Sequence, residues 1–267
     1  MKILGILNIT DDSFSDGGKY LAPGAALAQG RELLADGADI LDIGAAASNP
    51  DARRVAPETE IARLGTVLPA FKERKALLSI DSSEAKVQRW ALGQGVDYLN
   101  DIHGFAEPSL YPELASSKAK LIVMHMVQGG GVAVSTDVPK EEIFERVSDF
   151  FEKRLARLQQ AGIARERLIL DPGMGQFVGR DAENSLILLR RLAELKARFG
   201  LSLLISVSRK GFLRRLVHDG DPLGLPVLGA SLAAELHAVL QGADYVRTHS
   251  PGALIAAIKI RNALAAG

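Results

Sequence analysis

LILDPGMGQFVGRDAENSLILLRRLAELKARFGLSLLISVS, residues 168–208, holds one full round of the pattern that sets the fold. The short apolar run LILDPG (168–173) ends in a carboxylate, a proline and a glycine. From Asn184 the stretch NSLILLRRLAELKARFG repeats apolar residues at helical spacing and stops at Gly200, a residue suited to a helix C-terminus. A second short apolar run, LLISVS (203–208), follows at once. Strand, polar tip, helix, strand is the unit of a parallel sheet, because parallel strands need a crossover and that crossover is right-handed.

The same unit recurs in both directions along the chain. The further strand candidates are ILGILNI (3–9), DILDIG (39–44), LLSID (77–81), DYLND (97–101), LIVMH (121–125) and DYVRTH (244–249). Helical patterns lie between them, among them AALAQGRELLADG from Ala25 to Gly37. Another starts at Glu141 and spaces Ile143, Val147, Phe150, Phe151 and Leu155 along one face. Eight strands alternating with helices fit either an open doubly wound sheet or a closed (β/α)8 TIM barrel of about 250 residues. No GxGxxG follows the first strand, so the closed α/β barrel is favoured. No Pro-, Gly- or Ser-rich linker interrupts the chain, which is read as one domain over 1–267 with longer loops at 45–57 and 128–139.

Composition narrows the function classes. Lys plus Arg is 32 and Asp plus Glu is 32, a formal charge of zero. Duplex-binding proteins draw affinity from basic residues that neutralise phosphates, so no nucleic acid partner is expected. With 47% hydrophobic residues the chain can build a core. It has no cysteine, which excludes disulfides and thiolate metal sites and suits a reducing compartment. MKILGILNIT runs into charged DDSFSD without a signal-cleavage pattern. LIVMHMV is far shorter than the roughly 20 apolar residues that cross a bilayer. The expected location is the cytoplasm, with no membrane partner.

The strand tips carry Asn8, Asp42, Asp81, Asn100 with Asp101, His125, Asp171, Ser208 with Arg209 and Lys210, and Arg247 with His249. Singly, such residues cap helices or shape turns. A closed barrel brings them together at its C-terminal mouth, where barrel enzymes carry out their chemistry. With no HxH or HExxH spacing and no cysteine, His125 is not read as a zinc ligand.

NITDDSFSDGG (8–18), DIGAAASNP (42–50), SIDS (79–82), YLNDIHGF (98–105), VMHM (123–126), LDPGMG (170–175), SVSRKGF (206–212) and YVRTH (245–249) resemble, in order, the motifs of the dihydropteroate synthases. The resemblance implies a barrel that joins 6-hydroxymethyl-7,8-dihydropterin pyrophosphate to 4-aminobenzoate, giving 7,8-dihydropteroate and pyrophosphate. It also implies Mg²⁺ and a homodimer formed through the late helices. Asp171 then matches the carboxylate against the pterin amine, with Asp81, Asn100 and Lys210 completing the ring contacts. That set suits the ring, whose edge mixes donors with acceptor nitrogen and oxygen. Arg247 and His249 match diphosphate ligands and, with Lys210, the catalytic set. Asn8 matches the Mg²⁺ ligand on the diphosphate side, and Ser48 the hydroxyl that approaches the diphosphate. Ser208, Arg209 and Phe177 fall at the aminobenzoate end. An aromatic amine is already a neutral nucleophile, so orientation and leaving-group stabilisation suffice, without a covalent enzyme intermediate.

Three stretches depart from the common pattern. Asp11 stands where proline is usual. In Gly44–Pro50, Ser48 replaces a threonine and Asn49 an arginine. Gly175-Gln176-Phe177-Val178-Gly179-Arg180 lacks the usual lysine and is one residue longer. The departures resemble the sulfonamide-insensitive branch of the family, although Gln176 stands where that branch has phenylalanine. Phe177 is then a candidate wedge against the drug. Two rivals stay open at this level. A corrinoid-dependent methyltetrahydrofolate methyltransferase would share Asp81, Asn100 and Asp171 but has no use for SRK plus RTH. A non-catalytic pterin-binding paralogue would explain the altered second loop.

Overall fold

The computed structural model describes residues 1–10, 23–46, 55–127, 137–218 and 221–266. Eight parallel strands close into a barrel in chain order: β1 (Lys2–Asn8), β2 (Ile40–Gly44), β3 (Leu77–Asp81), β4 (Tyr98–Asp101), β5 (Lys120–Met124), β6 (Leu168–Asp171), β7 (Ser202–Ile205) and β8 (Tyr245–Thr248). Closure comes from β1, which pairs with β2 on one side and with β8 on the other, Lys2 opposite Tyr245 and Gly5 opposite Thr248. Outside run α1 (Pro23–Ala35), α2 (Pro57–Glu73), α3 (Ala85–Gly93), α4 (Tyr111–Ser116), α5 (Ile143–Gln160), α6 (Ala182–Arg190), α7 (Leu192–Phe199), α8 (Gly211–Leu216), α9 (Leu225–Leu240) and α10 (Pro251–Ala265). The (β/α)8 barrel is the closed alternative that the eight runs favour.

Strand periodicity places the site. Side chains alternate between the two faces of a strand, so residues two apart share a face. Leu4, Ile40, Tyr98, Ile122, Ile169, Leu204 and Tyr245 pack as an apolar layer inside the barrel. Two residues further along each strand stand Ile6, Asp42, Asn100, Met124, Asp171, Ser206 and Arg247. The inward face thus turns from apolar to polar within one step. The intervening residues, such as Leu41, Leu99, Val123, Leu170 and Leu203, face outward into the main core with the helices. Burying each such side chain contributes about 1.5–3 kcal/mol. On α5, Ile143, Val147, Phe151 and Leu155 are buried as the spacing predicts. Phe150 is only half-buried, edge-on to His125 with the Arg154 guanidinium 5.3 Å from its ring.

Two elements differ from the sequence reading. The strand expected over 203–208 ends at Ile205, and residues 206–210 turn into the mouth. Arg209 there adopts φ 57°, with its N–H on Ser231 Oγ at 3.0 Å, so α9 holds the turn that ends β7. The helix expected from Asn184 to Gly200 is two helices, broken at Arg191 (φ −103°). The Arg191 guanidinium stacks 3.4 Å from the Phe144 ring centroid and binds Glu194 at 2.6 Å, a tertiary contact that local spacing does not show. Asp11, Ser48 and Asn49 lie outside the described residues, as do most of the two longer loops. Among the described residues no helix is long and apolar enough to cross a membrane.

Gly173 and Gly95 both have positive φ, 74° and 70°, but differ in their surroundings. A Cβ on Gly173 would meet the His125 carbonyl oxygen at 2.4 Å, whereas one on Gly95 meets nothing within 4 Å. Gly95→Ala should therefore cost the left-handed strain alone, about 1–2 kcal/mol. Gly173→Ala should cost clearly more in urea denaturation, because a backbone segment must move. Equal losses would show that the His125 segment yields freely.

Candidate active site

Arg247 reaches across the mouth from β8. Its Nε meets Asp42 Oδ2 at 2.5 Å and its Nη2 meets Asp81 Oδ2 at 2.7 Å, tying β8 to β2 and β3. Asn100 Nδ2 lies 3.3 Å from the same Asp42 oxygen. Burial works against the Arg247 charge, but Asp42, Asp81 and Asp171 outweigh it and hold the guanidinium firmly protonated. Burial pushes the Asp81 carboxyl up, with Arg247 opposing and Asp42 adding to the rise. Asp42 Oδ1 and Asn100 Oδ1 are buried with no hydrogen-bond partner among the described residues.

Asp171 and Lys210 face each other beside this bridge. Asp171 Oδ1 accepts the Gly173 N–H at 2.8 Å, the turn-shaping bond that its position before Pro172 suggests. Its other oxygen remains for the mouth. Burial raises the Asp171 pKa to about 6, against the Gly173 N–H and the Lys210 ammonium. Burial and then Arg247 lower Lys210 to about 8, with Asp171 and Asp81 opposing. The Lys210 ammonium sits 4.7 Å from the Phe177 ring centroid, a cation–π contact. Phe177 is itself buried against Met124 and Met126. Asp81, Asn100, Asp171, Lys210, Arg247 and Phe177 together frame a recess of about 30 Å³.

The recess adjoins a wider cleft of about 170 Å³, whose walls include Asn8, Ser208, Arg209 and His249. Asn8 Oδ1 would lie 3.5 Å from a Cβ at Gly44, so the glycine leaves the amide open on that side. Ser208 Oγ accepts the His249 N–H at 3.2 Å and lies 3.0 Å from His249 Nδ1. Its hydroxyl thus bonds to the histidine as well as lining the cleft. Burial, with Arg209, Arg247 and Lys210 nearby, drives His249 well below the usual imidazole range, so the ring is neutral.

The structure thus gathers Asn8, Asp81, Asn100, Asp171, Phe177, Ser208, Arg209, Lys210, Arg247 and His249 around one mouth. Two of the polar tips serve the chain itself. Asp101 accepts the His103 and Phe105 N–H groups at 2.8 Å. His125 Nδ1 lies 3.1 Å from the Pro172 carbonyl, and burial lowers its pKa to about 4. Sequence reasoning gave no task to Asp42, the acid that Arg247 and Asn100 share. The signal was present in its strand position, the same inward layer as Asn100 and Asp171.

A polar mouth built for a flat, charged ligand on a barrel of this kind defines a pterin-binding enzyme, and residues 4–249 match the family described as Pterin binding enzyme. The type-2 dihydropteroate synthase of Escherichia coli is 53% identical over 249 residues, 93% of this chain and 90% of that protein. The type-1 enzyme of Escherichia coli is 48% identical over 267 residues, 98% of this chain and 94% of that protein. The crystal structure of Yersinia pestis dihydropteroate synthase with a sulfonamide drug superposes with a TM-score of 0.89 at 32% identity, covering 99% of this chain and 94% of that one.

The chain belongs to the dihydropteroate synthases. It is accordingly a transferase of folate biosynthesis that attaches a pterinylmethyl group to 4-aminobenzoate, and the methyltransferase reading falls away.

The charge balance of the mouth is testable directly. Arg247→Met should raise the Lys210 pKa from about 8, because it removes the second cause of the depression. Asp171→Asn should lower it further. Lysine-selective NMR titration of the methylated protein reads both shifts; movement in the opposite directions would contradict the geometry above.

Proposed function

We propose that the recess seats the pterin ring and the adjoining cleft its diphosphate. The buried Asn100 Oδ1, which has no partner among the described residues, carries this reading. Such an acceptor costs about 1–3 kcal/mol unless a ligand donor satisfies it. In this arrangement the free Asp171 oxygen takes the pterin amine and ring N–H, Asn100 and Asp81 take further ring contacts, and Lys210 donates to ring acceptors. The guanidinium of Arg247 has two of its N–H directions committed to carboxylates. The others, with His249, face the diphosphate, and Lys210, Arg247 and His249 form the catalytic set. Ser48, outside the described residues, would add a hydroxyl to the diphosphate ligands by its match to the family motif. Arg209 and Phe177 border the aminobenzoate, with Ser208 acting there through His249. The amine nitrogen bonds to the pterin methylene as the carbon–oxygen bond to pyrophosphate breaks, so the protein orients and stabilises without a covalent link.

Asn8 fits a Mg²⁺ ion. An amide oxygen is a hard ligand, Gly44 leaves it open, and no hydrogen bond engages it among the described residues. Magnesium keeps several waters and shares substrate oxygens, so it needs few protein ligands. When bound it supplies positive charge to the departing pyrophosphate. The exposed Leu225, Leu240, Ile260 and Leu264 of α9 and α10 supply an apolar face for the proposed homodimer, which a light-scattering mass of two chains would support. The cytoplasm, where the folate precursors are made, is the proposed location.

Purified protein with both substrates and Mg²⁺ should release pyrophosphate, and excess chelator should stop the release. Pterin binding without release would favour the non-catalytic paralogue. Asp171→Asn sets an amide N–H against a pterin donor, so pterin affinity should fall at least about tenfold by calorimetry. Arg247→Ala and His249→Ala should weaken the pyrophosphorylated pterin much more than the bare hydroxymethyl pterin; equal losses would remove both residues from the diphosphate.

Sulfonamide insensitivity is the second part of the proposal. A sulfonamide copies the aniline ring but is bulkier at sulfur, so its rejection is steric. Phe177, wedged between Met124, Met126 and Lys210, stands at the junction of recess and cleft. One misfitting group in a tight pocket changes affinity by about 10–200-fold. Deleting Phe177 should increase sulfonamide inhibition on that scale. Inhibition of the intact protein at sulfonamide concentrations near the 4-aminobenzoate KM would overturn this part.

A further inference from the structure

α2 turns Glu60, Leu64, Val67, Leu68 and Phe71 toward the core along one face. Four of the five are apolar, and a leucine at position 60 would complete the stripe. The carboxyl that stands there is 2% exposed, and the reaction outlined above gives it no task. A buried carboxyl is costly unless a donor satisfies it. The donor is the Ser82 hydroxyl, which bonds to Glu60 Oε2 at 2.9 Å. Burial pushes Glu60 up to about 7, with Glu84 and Asp81 adding to the rise and the Ser82 hydroxyl and Arg63 opposing it. A protonated carboxyl keeps an oxygen that accepts, so the bond to Ser82 is available in either state.

Ser82 follows Asp81, where β3 turns toward α3, and each of its polar groups is engaged. Its N–H donates to the Asn100 carbonyl at 3.1 Å, and its carbonyl accepts the Gln88 side-chain amide at 2.6 Å. Its Oγ accepts the Glu84 N–H at 3.2 Å while donating to Glu60. Of these four bonds, the one to Glu60 reaches α2. One turn along α2, Arg63 Nη1 donates to the Ala45 carbonyl at 2.9 Å, where the chain leaves β2. The helix therefore grips the chain at the ends of two neighbouring strands. Asp81 needs that hold more than the other acids of the mouth. The carboxylates of Asp171 and Asp101 accept N–H groups from their own turns. Among the described residues Asp81 receives no backbone N–H; its bond is to Arg247, and its side chain is 20% exposed against 0% for Asp42. Its place at the wall of recess and cleft is set by the backbone around it, and Ser82 anchors that backbone.

We propose that Glu60 is a positioning residue: through the Ser82 hydroxyl it ties α2 to the end of β3 and so holds the Asp81 carboxylate in register with Arg247 and the recess. The effect on a pterin rests on the reading of the recess given above; the placing of Asp81 does not. Lys210 reports that placing independently, because Asp81 is one of the two acids that oppose its lowered pKa. If Asp81 swings away, Lys210 should fall below about 8.

Three variants of the full chain and one double variant test the tie. Glu60→Leu completes the apolar stripe but removes the acceptor, Ser82→Ala removes the donor, and Glu60→Gln keeps an acceptor oxygen without the charge. Glu60→Leu and Ser82→Ala should each bind hydroxymethyl pterin about tenfold more weakly by calorimetry and lower the Lys210 pKa in NMR titration of the methylated lysines. The double variant should lose no more than either single one, because both cut the same link. Glu60→Gln should keep the affinity and the Lys210 titration of the wild type. In turnover, the KM of the pyrophosphorylated pterin should rise in the first two variants while that of 4-aminobenzoate stays constant. Losses that add in the double variant, or a Glu60→Gln protein as impaired as Glu60→Leu, would overturn the proposal. Wild-type pterin affinity and Lys210 titration in Ser82→Ala would overturn it even if Glu60→Leu does not fold. A Lys210 shift with unchanged pterin affinity would support the placing of Asp81 by Glu60 and overturn the pterin contact of Asp81.

Discussion

The guanidinium of Arg247, held between Asp42 and Asp81, is the contact on which the mouth depends. A buried ion pair adds little net stability, because removing charges from water costs about as much as their attraction returns. Breaking one is different: it leaves an uncompensated buried charge and costs about 3–5 kcal/mol. The bridge is therefore hard to lose yet contributes little to folding, which points to the site as the reason it is kept. It joins three strands across the barrel, holds Asn100 through the shared Asp42 oxygen, and lowers the neighbouring Lys210. The charge at this mouth is thus already in place, with no side chain to recruit.

The barrel supplies that arrangement through a simple rule. Four strands put an apolar residue inward at the lower layer and a charged or amide residue inward two positions later: Ile40 and Asp42, Tyr98 and Asn100, Ile169 and Asp171, and Tyr245 and Arg247. The lower layer, with Tyr98 and Tyr245 edge to face at 6.3 Å between centroids, is a closed apolar floor. Polar groups in the upper layer thus stand on a dry base and open only to the mouth. This raises their mutual interactions and explains why burial is the first cause of the shifts of Asp81, Asp171 and Lys210.

The same rule explains what the sequence discloses. Period two in LLSID or LILDPG and the helical spacing from Glu141 are local signals, so strands, helices and the residues at the tips can be read without a structure. Contacts between distant segments are not local. Arg191 breaks a helix because Phe144, far back in the chain, offers its ring. The strand at 203–208 stops early because Ser231 of α9 captures the Arg209 N–H. Ser208 reads as a substrate contact in sequence, and its bond to His249 shows only in space. Glu235 sits in a mostly apolar helical run, ASLAAELHAVL, where nothing nearby marks it as facing Ser208.

Folding and ligand binding draw on these acids in opposite senses. Burial raises Glu60 to about 7, Asp171 to about 6 and Glu235 to about 8. An acid whose folded pKa lies above its unfolded value binds more protons when folded, so its contribution to stability is greatest below the unfolded pKa and is lost as pH rises toward the folded one. From about pH 4.5 upward each therefore lowers stability as the pH increases, Asp171 up to about pH 6, Glu60 up to about 7 and Glu235 up to about 8. A pterin whose donors meet the Asp171 oxygen favours the carboxylate, draws its pKa back down and cancels that part of the loss. Glu60 bonds to the Ser82 hydroxyl at 2.9 Å away from the recess, and Glu235 lies beneath its wall. Neither receives a ligand donor, so their protons stay with the fold. The acid that lines the recess is thereby set apart from the acids that brace the structure around it by what can reach it, although all three are displaced by the same physical cause.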